Sequence, residues 1–323
     1  MIAVHFESGQ IFVRERELPS RPPGFALIRM LAAGICNTDL ELLRGYYAFS
    51  GTPGHEFVGE VVEADTPTVV GQRVAGEINL ACGNCDFCAA GLGLHCPNRA
   101  VLGIVKHPGA FAEYLVLPEA NLHIIPDEIP TEQAVFIEPL AAACEILDQI
   151  RISTGEPVAV LGDGKLGLLI AQALHAHGAE VTLYGRHEEK LRIAQKVGIE
   201  STASRDKPKA RFQVVVECTG SAEGLENAIA MVRPRGFVVM KSTVHNRAPI
   251  DTAPIIVNEI TLVGSRCGRF EPAIELLRSG RVDVGSMISS EYPLEQAAPA
   301  FAEAARAGVL KVLLRNCQDV RAS

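Results

Sequence analysis

The chain has 323 residues, 48% hydrophobic and 21% charged, an ordinary soluble composition long enough for two domains. Its formal net charge of −8 excludes a broad basic face for nucleic acid but leaves room for a few arginines at one phosphate. The start, Met1-Ile2-Ala3-Val4-His5-Phe6-Glu7, lacks the basic and apolar regions of a signal peptide. No run reaches the roughly 18 apolar residues of a spanning helix, so a cytoplasmic protein with no membrane partner is expected.

Up to about residue 125 the chain reads as a mostly β domain. Short β-type runs at Ala26 to Leu31, Glu56 to Val62 and Tyr114 to Leu117 are punctuated by Pro22-Pro23-Gly24 and Gly71. Thr131 to Ile150 is helical in composition. From Pro157 strands alternate with helices: strand Val158 to Leu161, helix Leu166 to His177, strand Val181 to Tyr184, helix Glu188 to Val197. Further buried strands are expected at Val214 to Glu217, Phe237 to Met240 and Ile260 to Val263, which predicts a parallel sheet covered on both faces. A helix at Pro272 to Ser279 and a strand at Val309 to Leu314 follow, the latter returning to the first domain.

Four of the nine cysteines crowd together as Cys82, Cys85, Cys88 and Cys96. Without a secretion signal, such clustering points to metal rather than disulfides. Thiolates at this spacing close a tetrahedral shell around a structural zinc ion. Unrelated buried thiols or an iron–sulfur cluster are the competing readings.

Val158 to Leu161 runs into Gly162-Asp163-Gly164-Lys165-Leu166-Gly167, a strand, a G-x-G-x-x-G turn and a helix start. Gly162 permits the tight turn, Gly164 admits the pyrophosphate, and Gly167 lets the helix pack on the strand. The amides of Lys165 and Leu166 open the helix that faces the phosphates. The end of the next strand carries no acid for a ribose 2′-hydroxyl: Gly185 stands there, followed by Arg186. Removing a carboxylate and adding a guanidinium favours NADP over NAD, the competing reading being a solvated Arg186 beside a permissive pocket.

Cys36, His55 and Glu138 supply a thiolate, an imidazole and a carboxylate, a suitable zinc set with room for an exchangeable fourth position. Taken in order, Gly34-Ile35-Cys36-Asn37-Thr38-Asp39, Gly54-His55-Glu56, the cysteine lobe, Gly109-Ala110-Phe111-Ala112-Glu113-Tyr114, Glu138-Pro139-Leu140 and the glycine turn resemble the zinc-dependent medium-chain dehydrogenase/reductase family. The likeness is to its polyol, sorbitol and threonine dehydrogenase branch and covers nearly the whole chain.

The resemblance implies an α/β protein: a GroES-like β-barrel catalytic domain, residues 1–138 and 269–323, and a Rossmann domain with a doubly wound parallel sheet, residues 139–268. It implies two zinc ions, one catalytic and one structural. Cys36 and His55 match catalytic zinc ligands, Glu138 matches the third protein position, and Glu56 matches a glutamate that binds zinc directly, through water, or only supports the site. Thr38 matches the hydroxyl that relays the substrate proton, and Asp39 the carboxylate that orients the histidine. Glu41 departs from the histidine that ends the relay in many relatives. Tyr46, Tyr47 and Phe49 are substrate-contact or packing residues. The implied reaction interconverts an alcohol, polyol or sugar substrate and its ketone or aldehyde by hydride transfer, in a homodimer or homotetramer. A zinc-independent quinone or enone reductase and a non-catalytic cofactor-binding sensor are the alternatives. Cys144, Cys218, Cys267 and Cys317 are expected to pack as small apolar residues.

Overall fold

The computed structural model describes residues 1–203, 208–242 and 250–316. The chain divides into two compact units, Met1–Glu138 with the segment from Ile288 onward, and Pro139–Met287. No helix among the described residues is long and apolar enough to cross a membrane.

The first unit is built on a seven-stranded sheet. Its order is Leu122–Ile124, Arg73–Gly76, Glu56–Glu63, Phe25–Gly34, Lys311–Arg315 and Ile288–Pro293, with Tyr114–Pro118 also pairing with Phe25–Gly34. Phe25–Gly34 is buried along most of its length because strands pair on both its sides. Its last residue, Gly34, lies opposite both Glu56 and Leu313. That register brings the start of one strand and the C-terminal strand to the same end of the sheet. Phe301 seals part of this core, meeting the rings of Phe6 and Phe111 edge-on at 5.2 and 5.8 Å.

The second unit holds a six-stranded, wholly parallel sheet. Its order is Glu200–Thr202, Glu180–Tyr184, Pro157–Leu161, Phe212–Glu217, Val232–Met240 and Thr261–Gly264. In sequence terms this is 3-2-1-4-5-6, the doubly wound order with its switch point at the first strand. The apolar runs Val158 to Val160 and Val214 to Val216 are buried, as strands covered on both faces require.

Two expectations are corrected. The helical stretch at 131–150 is two helices, Thr131–Ala134 and Ile137–Gln149, separated at Val135 and Phe136, which are both buried. Residues 269–287, expected with the catalytic domain, belong to the second unit. The reason is side-chain anchoring: the buried Gln172 amide donates to the Asp283 carbonyl at 3.2 Å and accepts the Asp283 N–H at 2.5 Å. Arg269 adds an ion pair to Asp148 at 3.1 Å.

Candidate metal and cofactor sites

Cys36 caps the helix Asn37–Leu43, and its amide N–H donates to Asp39 Oδ2 at 2.8 Å. Asp39 is fully buried, and its other oxygen lies 3.3 Å from His55 Nδ1. The contact is too poorly aligned to satisfy either atom as a hydrogen bond, and both are otherwise unpartnered. One carboxylate thus fixes the thiol-bearing turn and faces the imidazole. With Nδ1 turned to Asp39, Nε2 is the nitrogen left to meet a metal. Burial pushes the His55 pKa down, but Asp39 and then Cys36 push it up by more, to well above the ordinary histidine value.

Cys36, His55 and Glu56 each offer a ligand atom, and these atoms all lie within 4.8 Å of one another. This donor set is what an open zinc site uses, so the residues fit the ion that the family resemblance implies. Glu138 stands in the first turn of Ile137–Gln149, half-buried and outside that mutually close set. Thr38 is half-buried on the first turn of the Cys36 helix. The Glu41 carboxylate accepts from Arg44 Nη1 at 2.6 Å. Phe49 meets the Phe6 ring edge-on at 6.3 Å, and the Tyr46 and Tyr47 rings lie 4.0 Å apart with Tyr47 largely exposed.

The sequence reading missed Lys311. It ion-pairs with Glu56 Oε2, and both side chains are 1% exposed. The ammonium also sits 5.6 Å above the Phe136 ring. Its signal was visible: a lysine inside the apolar strand Lys311–Arg315 needs a buried partner.

In the cysteine lobe four sulfur–sulfur separations run from 3.4 to 4.0 Å. A tetrahedral zinc ion with bonds of about 2.3 Å spaces its sulfurs by about 3.8 Å, so the four thiols fit it. Without the ion the thiols oppose one another. The Asn84 amide, followed by Cys96, lowers the Cys82 pKa to about 6, while burial, followed by Cys85, raises Cys88 to about 11. Outside the lobe, burial raises the Cys144 pKa to about 12 and that of Cys218 well above the ordinary thiol value. Cys144 is packed in the core, whereas Cys218 is half-buried and lines the cavity beside the glycine turn. Cys267 is half-buried, and Cys317 lies outside the described residues.

The glycine turn has the geometry its residues require. Gly162 adopts φ +116°, and a Cβ at Gly167 would lie 1.9 Å from the Gly162 carbonyl oxygen. A Cβ at Gly164 would meet nothing within 4 Å, the open approach that a pyrophosphate needs. Gly164 caps the helix Lys165–His177, so the amides of Lys165 and Leu166 are in its first turn. A cavity of about 360 Å³ opens here, and Gly162, Gly164, Gly185, Arg186, His187 and Lys190 are among its lining residues.

A thiol–imidazole–carboxylate set in one unit and a nucleotide-binding turn in the other define a metal- and nicotinamide-dependent oxidoreductase. Residues 22–127 match the alcohol dehydrogenase GroES-like domain, and residues 166–279 the zinc-binding dehydrogenase domain. The chain is 34% identical to an L-threonine 3-dehydrogenase of Streptomyces avermitilis, over 92% of this chain and 93% of that one. It is 32% identical to a D-altritol 5-dehydrogenase of Agrobacterium fabrum, over 93% and 95%. A zinc-binding dehydrogenase of Sinorhizobium meliloti, solved bound to NADP, superposes with a TM-score of 0.90 at 32% identity, covering 97% and 98%. The chain belongs to the zinc-dependent medium-chain dehydrogenase/reductase family. It is an alcohol dehydrogenase in the broad sense, using zinc and a nicotinamide cofactor.

Proposed function

We infer that the enzyme interconverts a small polyol, or a related sugar-type alcohol, and its ketone or aldehyde, with NADP preferred and two zinc ions per chain. The observation that carries this reading is the convergence of Cys36, His55 and Glu56 within 4.8 Å of one another. The polyol class rests on relatives such as the altritol and sorbitol dehydrogenases. The NADP preference rests on Gly185 and Arg186, and the second zinc on the spacing of the cysteine lobe.

Cys36, His55 and Glu56 would hold the catalytic zinc, with Glu138 the carboxylate that the family resemblance adds. Bound there, zinc would supply Lewis acidity at the substrate oxygen, and a nicotinamide would supply the hydride chemistry. Asp39 fixes the Cys36 turn with one oxygen and sets the other 3.3 Å from His55 Nδ1, so one carboxylate serves both donors. Thr38, two residues beyond Cys36, takes the proton of the alcohol. Beyond Thr38, the Glu41 carboxylate, held by Arg44 Nη1 at 2.6 Å, or water would carry the proton to solvent. A homodimer or homotetramer completes the reading and is checked by light scattering.

The test is a panel of polyols and simple alcohols assayed with NADP and NAD, alongside metal analysis. Polyol oxidation with NADP and about two zinc ions per chain supports the reading. Turnover in zinc-free protein would point instead to a zinc-independent reductase, and cofactor binding without turnover to a sensor.

A further inference from the structure

Asp163 occupies the first variable position of the glycine turn, and its carboxylate is nearly enclosed. Oδ2 accepts the backbone N–H groups of Arg186 and His187, both at 2.7 Å. The His187 ring adds a third contact, with Nδ1 at 3.1 and 3.0 Å from Oδ1 and Oδ2. All three donors belong to the two residues directly after Gly185, at the mouth of the helix Glu188–Lys196.

The same carboxylate fills the space beside Gly185. A Cβ built there would lie 2.6 Å from Asp163 Cβ, 2.6 Å from its Oδ2 and 2.7 Å from Leu191 Cδ2. A ribose-binding aspartate or glutamate at 185 would therefore meet a fixed side chain and a like charge together. Glycine at 185 does more than spare a phosphate from repulsion: with Asp163 in place, no side chain fits.

The carboxylate is also spent. Its donors all come from the protein, so it is not aimed outward as a ribose acceptor. What it presents instead is the turn it holds. Arg186 and Lys190 line the cavity there beside the half-exposed His187 ring, two cations suited to an adenosine 2′-phosphate, with Glu223 in the same lining 3.9 Å from Arg186.

Resting on the NADP reading above, we propose that Asp163 is the positioning residue that sets cofactor specificity: it excludes a ribose-reading acid at position 185 and holds the Arg186–His187 turn for the 2′-phosphate. Residues 163 and 185 are then one coupled element. Converting position 185 alone cannot produce an NAD enzyme.

The experiment is a double-mutant cycle in the zinc-loaded enzyme, with NADPH and NADH affinities read from nicotinamide fluorescence and folding from circular dichroism. Gly185→Asp alone should lose at least tenfold in affinity for both cofactors. Asp163→Gly alone should weaken NADPH about tenfold without strengthening NADH. The pair Asp163→Gly/Gly185→Asp should recover NADH binding and prefer NADH. His187→Ala, which removes the ring contact to Asp163 but keeps both backbone donors, should weaken NADPH several-fold and leave NADH unchanged, so the proposal is tested even where Gly185→Asp does not fold. Tight NADH binding by Gly185→Asp alone would overturn the coupling. An Asp163→Gly variant that loses NADH but keeps NADPH would make Asp163 a ribose acceptor and overturn the positioning role. The NADP reading fails separately, if the unaltered enzyme binds NADH more tightly than NADPH. The non-additivity of positions 163 and 185 stands or falls regardless of that result.

Discussion

Lys311 and Glu56 form a buried ion pair across 255 residues of sequence, joining the C-terminal strand to the strand that follows His55. Glu56 is one of three groups converging on the candidate zinc site, so the pair links chain closure in the first unit to the site's charge. A carboxylate enclosed beside a thiol and a second carboxylate, Asp39, needs a counter-charge. Lys311 supplies it from the opposite end of the chain.

Removing one partner should expose the cost. Lys311→Met leaves Glu56 buried without its cation, and a loss of about 3–5 kcal/mol is expected, measured by urea denaturation. Lys311→Met with Glu56→Gln should recover most of it. Burial lowers the Lys311 pKa, but Glu56 and then Cys36 raise it by more, so the folded value lies above the unfolded one of about 10.4. The pair's contribution is therefore fully present below about pH 10.4 and lost as pH rises through the folded value. A Lys311→Met variant with unchanged stability at pH 8 would remove the pair from the account.

Gly34 makes room for that pair. A Cβ there would sit 2.8 Å from Glu56 Oε2, 2.9 Å from Val135 Cγ1 and 3.0 Å from Lys311 Cδ. Gly34→Ala should cost about 1–3 kcal/mol and lower the zinc bound at the neighbouring site. Thermal melting with metal analysis reads both.

Asp39 is expected to act through its neighbours. Asp39→Asn keeps the size but loses the charge facing His55, and should lower zinc affinity or turnover by about 10- to 100-fold. Cofactor affinity, measured by fluorescence titration, should be unchanged.

Zinc uptake at the candidate site should release protons. In the metal-free protein Asp39 and Cys36 hold His55 protonated to well above the ordinary histidine pKa, while metal binding needs the neutral ring. Affinity should therefore fall as pH drops below that raised value. Calorimetry in two buffers of different ionisation enthalpy measures the proton count, and equal heats in both would contradict the assignment.

The cysteine lobe should behave differently. Cys96 is fully buried. Cys96→Ser should reduce zinc from about two ions per chain to about one and lower the melting temperature, while the folded fraction keeps its turnover.

Local chemistry was legible in the sequence. The runs around Val158 and Val214 read as buried parallel strands, and the glycine turn and cysteine spacing carried their geometry within a few residues. Long-range pairing was not legible. Nothing near Lys311 names Glu56, and the role of Asp163 depends on a turn 23 residues away. The missed break at Val135 and Phe136 has the same origin, since tertiary packing ended a stretch that composition alone would have continued. The reach of the second unit to Met287 likewise depends on Gln172, whose partner no periodicity reveals.

The most direct test of the central claim is zinc content and NADP-linked polyol oxidation, measured together in the unaltered enzyme and in Cys36→Ser. Expected are about two zinc ions and turnover in the first, and about one zinc ion, retained NADPH binding and a loss of activity of at least about 100-fold in the second. Full activity in Cys36→Ser, or in zinc-free protein, would contradict it.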